Sequence, residues 1–276
     1  MKEKKYFILG DIHGSVSPIE QFTQLHPELQ ESENILILLG DVGANFFFDD
    51  RDKIFKAELK QFPFTYFIIR GNHDSRVTNV YRNNSWHIEN FEHGVAAVED
   101  KFPYIKYSTD YPSLYIFNDK WKTLIYPGAY SVDKFTRIEN NSPWFEDEQL
   151  NQNEQDLGMD LAKEANAKLN GIDLVLSHTC PFIYEPTDLF LQGLNQSMID
   201  KTMETYLGRI EFFLRYKLWI WGHFHKTRVY PDTNDNMYRM MLFNDKIFTL
   251  NAAMERLEFE GTAALYDCLL NTGLTN

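Results

Sequence analysis

Cysteine is nearly absent, with only Cys180 and Cys268 in 276 residues. Two cysteines cannot build a disulfide framework, so a reducing, cytoplasmic setting is expected. Positive charge is also scarce. Lys and Arg number 27 against 40 Asp and Glu, a formal net charge of −13. That balance excludes a long basic face releasing counterions along nucleic acid, though not a local basic pocket. No apolar run approaches the roughly 18 residues that span a bilayer. The basic start, Met1-Lys2-Glu3-Lys4-Lys5, leads into only Tyr6–Leu9 before Gly10-Asp11, too short for a signal-peptide core. Neither a membrane nor an extended nucleic-acid partner is expected.

What is present is globular. Hydrophobic residues make up 43% and aromatics 15%, more than a disordered chain carries. No repeat, low-complexity tract or linker divides the chain, so 1–276 reads as a single domain with two sheets. Ser17-Pro18-Ile19-Glu20 carries a capping-box pattern that predicts a helix to about His26. Strands are expected at Asn34–Leu39 and Phe64–Ile69 around a helix within Asp49–Phe62, giving a β-α-β-α-β start with parallel strands. From Asn83 the rhythm shortens to aromatic-rich strands, with a hairpin at Asn118-Asp119-Lys120. Ser142-Pro143 predicts a capped helix with Glu146-Asp147-Glu148 in its first turn. Further helices are expected at Glu154–Leu169 and near Gln196–Tyr216. Tyr238–Phe243 and Lys246–Asn251 read as antiparallel strands turning at Asn244-Asp245.

One grammar recurs five times. Lys5–Leu9 ends in Gly10-Asp11-Ile12-His13-Gly14, and Ile35–Leu39 ends in Gly40-Asp41. Tyr66–Arg70 ends in Gly71-Asn72-His73-Asp74, Asp173–Ser177 in His178, and Leu218–Trp221 in Gly222-His223-Phe224-His225. Each is an apolar run closed by Asp, Asn or His, and open α/β sheets bind ligands at the carboxyl ends of their strands. Oxygen and imidazole donors together suit transition metals. The set is too large for one ion and fits two.

Taken together, and in this order, these blocks resemble those of the calcineurin-like metallophosphoesterase superfamily. The segments Gly128–Lys134, Trp144–Gln149 and Ser177–Pro181 look like those of its bacterial and phage-type members. The resemblance implies a four-layered αββα sandwich, an α/β (α+β) fold of two mixed sheets flanked by helices, with the site at strand carboxyl ends. It assigns Asp11, His13 and His225 to one metal and Asn72, His178 and His223 to a second, with Asp41 bridging. Manganese, iron, zinc, cobalt and nickel all suit such ligands. Two such ions lower the pKa of a bridging water and clamp phosphate oxygens for in-line attack. His73 is implied to stand near the leaving-group oxygen, with Asp74 or another carboxylate orienting its ring.

The chain departs from the pattern in one place. Many phosphoprotein-phosphatase members carry Asp-Arg soon after the second Gly-Asp, whereas here Asp41 is followed by Val42-Gly43-Ala44-Asn45. Arg76 is the expected replacement as phosphate grip, because a planar guanidinium suits bidentate contact. Arg137 ranks second. Phe46–Phe48 read as core before substrate wall, and Cys180 as a small buried side chain. His26, His87 and His93 carry no assignment.

The expected activity is dinuclear metal-dependent hydrolysis of phosphomonoesters, on a small molecule or a phosphoprotein. The alternative is a phosphodiesterase or nuclease acting on short or cyclic nucleotides. An inert binding scaffold ranks last, because no ligand position is missing. The oligomeric state is left open.

Overall fold

The computed structural model describes residues 4–80, 85–190, 195–231, 233 and 235–272. Met1–Glu3 of the basic start and Asn83, where the shorter strands were expected to begin, lie outside them. In chain order the strands are β1 (Lys4–Leu9), β2 (Glu33–Leu38), β3 (Thr65–Ile68), β4 (Trp86–Phe91), β5 (Gly94–Glu99), β6 (Ile105–Tyr107) and β7 (Ser113–Phe117). Then follow β8 (Trp121–Tyr126), β9 (Ile172–Ser177), β10 (Tyr216–Trp221), β11 (Arg228–Val229), β12 (Tyr238–Met241), β13 (Lys246–Thr249) and β14 (Leu269–Asn271). One sheet runs β14-β13-β1-β2-β3-β6-β5-β4 and the other β11-β12-β10-β9-β8-β7. The centres of both are parallel, at β1-β2-β3-β6 and β8-β9-β10-β12.

Side-chain alternation explains the layering. Along β1, Tyr6 and Ile8 point to the core between the sheets, while Phe7 and Leu9 point to the helices outside. The core between the sheets joins Ile35, Ile37 and Phe67 to Phe117, Leu174 and Ile220. Helices Ser17–Leu25 and Asp50–Leu59 cover the first sheet through Ile19, Phe22, Phe55 and Leu59. Helices Gln152–Leu169 and Thr202–Glu211 cover the second through Ala162, Ala165, Met203 and Leu207. Strands buried on both faces need near-continuous apolar runs, which is why the parallel strands stood out in the sequence. The result is the expected four-layered sandwich.

Several local expectations are corrected. Helix Ser17–Leu25 forms, but its N-cap is Val16, without a side-chain cap. No helix opens at Ser142-Pro143, and Glu146–Glu148 are not a first turn. Two buried arginines claim the carbonyls that such a helix would use: Arg70 donates to Glu148 O at 2.7 Å, and Arg76 to Asp147 O and Gln149 O at 2.9 Å each. The helix expected at Glu154–Leu169 forms at Gln152–Leu169, behind a capping box of Asn151 and Glu154. The region near Gln196–Tyr216 divides into a short 3₁₀ turn at Gln196–Met198, helix Thr202–Glu211 and β10.

Asn118 and Asp119 both adopt positive φ, 56° and 52°, in the three-residue turn between paired Phe117 and Trp121 that joins β7 to β8. Asn244 and Asp245 do not, and β12 and β13 join different sheets. Residues 250–251, expected to continue a strand, open helix Leu250–Glu260, which packs Leu250, Ala253 and Leu257 on the core between the sheets.

Phe67 is fully buried among Phe91, Tyr115 and Phe117, with ring centroids 5.1–5.6 Å away. Phe67→Ala is expected to cost about 3–5 kcal/mol in urea unfolding with an unchanged slope. A loss below about 1 kcal/mol would show that this contact does not hold the sheets together.

Candidate metal centre

The strand ends meet in one crevice because the backbone turns sharply after each strand. Asp11, His13, Asp41, His223 and His225 all have positive φ, between 37° and 72°. Non-glycine residues enter this region at a cost, and such strain concentrates at functional sites. The preceding glycines permit the crowding. A Cβ on Gly71 would lie 2.2 Å from Asp41 Oδ1, and one on Gly222 would lie 2.5 Å from Asp11 Oδ2.

The donors converge as two groups. Asp11, His13 and His225 bring ligand atoms within 4.8 Å of one another, as do Asp41, His178 and His223. A third combination, His13, Asp41 and His73, overlaps both. The Nε2 atoms of His13 and His225 lie 3.0 Å apart. Backbone N–H groups fix the carboxylates: His223 N donates to Asp11 Oδ2 at 2.9 Å, and His73 N to Asp41 Oδ1 at 2.8 Å.

Tautomer logic identifies what the crevice accepts. The carbonyl of Leu39 can only accept, so His178 donates to it from Nδ1, at 2.6 Å. In the neutral ring the Nε2 lone pair then faces Asn72 Oδ1 at 2.9 Å and Asp41 Oδ1 at 3.3 Å. Asn72 cannot turn its amide inward, because its Nδ2 donates to Ser131 Oγ at 3.0 Å. Ser131 in turn donates to Glu148 Oε2 at 2.5 Å, and its N–H to Oε1 at 2.9 Å. Three acceptors thus converge on a buried point, which requires a cation or a proton. The residues fit a bound metal ion, and the Glu148–Ser131–Asn72 chain is the kind of outer support that orients a ligand.

The titration of the site has the same cause. Burial works against a charge on His178, but the carboxylates of Asp41 and Asp11 outweigh it and hold the ring up to about 9. Burial also opposes a charge on Asp41, yet His178, His73 and His13 keep its carboxyl well below the usual range. Asp11 is raised, by burial first and then by Asp41. Burial lowers His223 well below its ordinary value.

The other expected residues fall elsewhere. Asp74 does not orient His73; it braces the loops by accepting from Gly71 N at 3.0 Å, Val42 N at 3.1 Å and Gly43 N at 3.2 Å. Arg76 is no phosphate grip. Its Nη atoms hold Glu154 at 2.5 and 3.0 Å, and its remaining donors hold the two carbonyls named above. Arg137, ranked behind it, lies against His73 and donates from Nη2 to Nδ1. Phe46 is half-buried beside His73, its ring 5.9 Å away at 13°, with Arg137 5.2 Å above it. Phe47 and Phe48 are exposed and Cys180 is buried. Sequence reasoning missed Ser131 and Glu148, which lie in segments noted for their resemblance but match no ligand pattern.

The sequence pattern of the calcineurin-like phosphoesterase family matches residues 4–227. The chain belongs to the calcineurin-like phosphoesterase family. No curated protein matches it. Similar solved structures include the Thermus thermophilus protein TT1561, with 13% identity, TM-score 0.47 and coverage of 90% of this chain and 93% of that one. The phosphopantetheinyl hydrolase of Mycobacterium tuberculosis has 13% identity, TM-score 0.40 and coverage of 88% and 90%. A 5′-nucleotidase precursor from Thermus thermophilus has 12% identity, TM-score 0.42 and coverage of 89% and 50%. Divalent metals serve this family, in accord with the two donor groups. Among the described residues, no helix is long and apolar enough to cross a membrane.

Two predictions follow from this geometry. Glu148→Ala frees Ser131 and Asn72, and is expected to weaken manganese binding about 10–100-fold in equilibrium titration; unchanged affinity would remove the chain from the ligand's support. The second concerns pH. A His178 pKa raised from 6.5 to about 9 stabilises the metal-free fold. That stability is fully present below about pH 6.5 and lost as pH rises through about 9. The thermal midpoint of metal-free protein should therefore fall as pH rises across that window, whereas a flat profile would contradict the His178–Asp41 coupling.

Proposed function

We propose that this family member is a dinuclear metal-dependent phosphomonoesterase. The observation that carries the reading is the pair of donor groups, with Asp41 of one also within 4.8 Å of His13 of the other, a position that suits a carboxylate shared between two ions. Asp11, His13 and His225 would hold one ion, and Asn72, His178 and His223 the other. Bound there, the ions supply Lewis acidity to the phosphate oxygens and acidify a water nucleophile. Hydrolysis forms a new P–O bond from water and breaks the ester P–O bond, giving phosphate and an alcohol. The proton lost by the water ends on the leaving oxygen.

His73 has a definite part in this scheme. An arginine has no acceptor, so Nδ1 must accept from Arg137 and the ring proton must lie on Nε2. That nitrogen is 3.9 Å from Asp41 Oδ2. Burial, reinforced by Arg137, lowers His73 to about 4. At neutral pH it therefore serves as an uncharged N–H donor to the leaving oxygen, with Arg137 fixing its tautomer. Arg137→Met is expected to slow an alkyl phosphate by about a hundredfold, the lower end for losing one hydrogen-bond donor aimed at developing charge. It should slow an aryl phosphate with an acidic leaving group far less. Equal losses on both would refute this role.

The reading as a whole is tested with manganese-loaded protein on matched mono- and diaryl phosphates. Monoester turnover that Asp41→Asn and EDTA both abolish is the expected result. Preferential diester turnover would favour the phosphodiesterase alternative, and full activity of Asp41→Asn would end both readings.

A further inference from the structure

A cavity of about 440 Å³ adjoins Asp41, Asn72, His73, His223 and His225. It is where the remainder of a substrate would lie once its phosphate met the donor groups. Its apolar lining includes Tyr130, Leu189, Phe190, Ile199 and Phe224. The rings of Phe190 and Phe224 stack with centroids 6.4 Å apart.

The charges of the lining are unbalanced. Beyond the donor groups, it holds Asp133, Glu185, Asp200 and Glu204 against Lys201. Lys201 is already neutralised, with Nζ 2.6 Å from Glu185 Oε1 and 4.7 Å above the Phe190 ring. Asp133 pairs with Arg137 Nε at 3.3 Å. Asp200 accepts from Thr202 N and Gln149 Nε2, at 2.9 Å each, and the Lys134 charge also acts on it. Glu204 stands out. It is 4% exposed, Oε1 accepts from Thr179 Oγ1 at 2.7 Å, and Oε2 has no hydrogen-bond partner among the described residues. Burial pushes its carboxyl up to about 7.

A buried carboxylate oxygen without a partner is costly, and a complementary donor carrying positive charge removes that cost. Aromatic faces favour the same kind of group. A second anionic group would instead meet the carboxylates of Glu204 and Asp200. Resting on the phosphomonoesterase reading, we propose that the substrate is a phosphomonoester whose alcohol part carries an ammonium group, received by Glu204 and Asp200 beside the aromatic wall. Polyphosphates and carboxylate-bearing phosphates are disfavoured by the same charges.

The test separates this inference from the reading beneath it. Turnover by manganese-loaded protein is compared for O-phosphoethanolamine, propyl phosphate and phosphoglycolate, and calorimetry compares binding of aminoethylphosphonate with propylphosphonate. The expected kcat/KM order is ammonium, neutral, anionic, with about a tenfold step from ammonium to neutral. Aminoethylphosphonate should bind tighter by a similar factor. The isosteric Glu204→Gln should bring the ammonium-to-neutral ratio close to one, and Asp200→Asn on the exposed rim should lower it several-fold. Equal handling of ammonium and neutral compounds overturns the inference while leaving the phosphoesterase reading standing. So do ratios that neither variant moves. Absence of all turnover overturns the reading, and the binding ratio then still decides whether the cavity selects a cation.

Discussion

The structure depends on one unfavourable convergence. Oxygen and nitrogen lone pairs of Asp41, Asn72 and His178 face one another in a buried crevice, where each would repel the others without positive charge between them. Much of the surrounding architecture holds them there. The carbonyl of Leu39 fixes the His178 tautomer, the Glu148–Ser131 pair fixes the Asn72 amide, and Asp74 ties together the loops after β2 and β3. The left-handed backbone at five donor residues is part of the same cost. The αββα layers supply the packing that meets it, because the crevice lies at the carboxyl ends of strands buried on both faces.

The two charged surroundings of the site do different work. The crevice gathers carboxylates and imidazoles suited to cations, and so prepares for phosphate indirectly. The adjoining cavity has no net positive charge of its own among its described lining, so in the proposed reading it would contribute selection rather than phosphate affinity. Arg137 belongs to neither. It is buried against His73 and donates to that ring.

The fold and the donor set were legible because both depend on local rules. Apolar runs ending in Gly-Asp, Gly-Asn-His or Gly-His mark parallel strands feeding a rim, and the close approaches at Gly71 and Gly222 explain why glycine stands there. Asn118-Asp119 is a hairpin by its own turn chemistry. What failed depended on distant partners. Ser142-Pro143 looks like a helix start until Arg70 and Arg76 take the carbonyls that follow. Arg76 looks free for phosphate until Glu154, 78 positions away, binds it. Asn244-Asp245 is a turn, but it carries the chain from one sheet to the other and closes no hairpin. Ser131, Glu148 and Arg137 have no signature, since their roles come only from what they touch.

The most direct measurement is anomalous diffraction from crystals of the manganese-loaded protein. The account predicts two peaks per chain, one ligated by Asp11, His13 and His225 and one by Asn72, His178 and His223, with Asp41 reaching both. A single peak, or none within reach of Asp41, would contradict it.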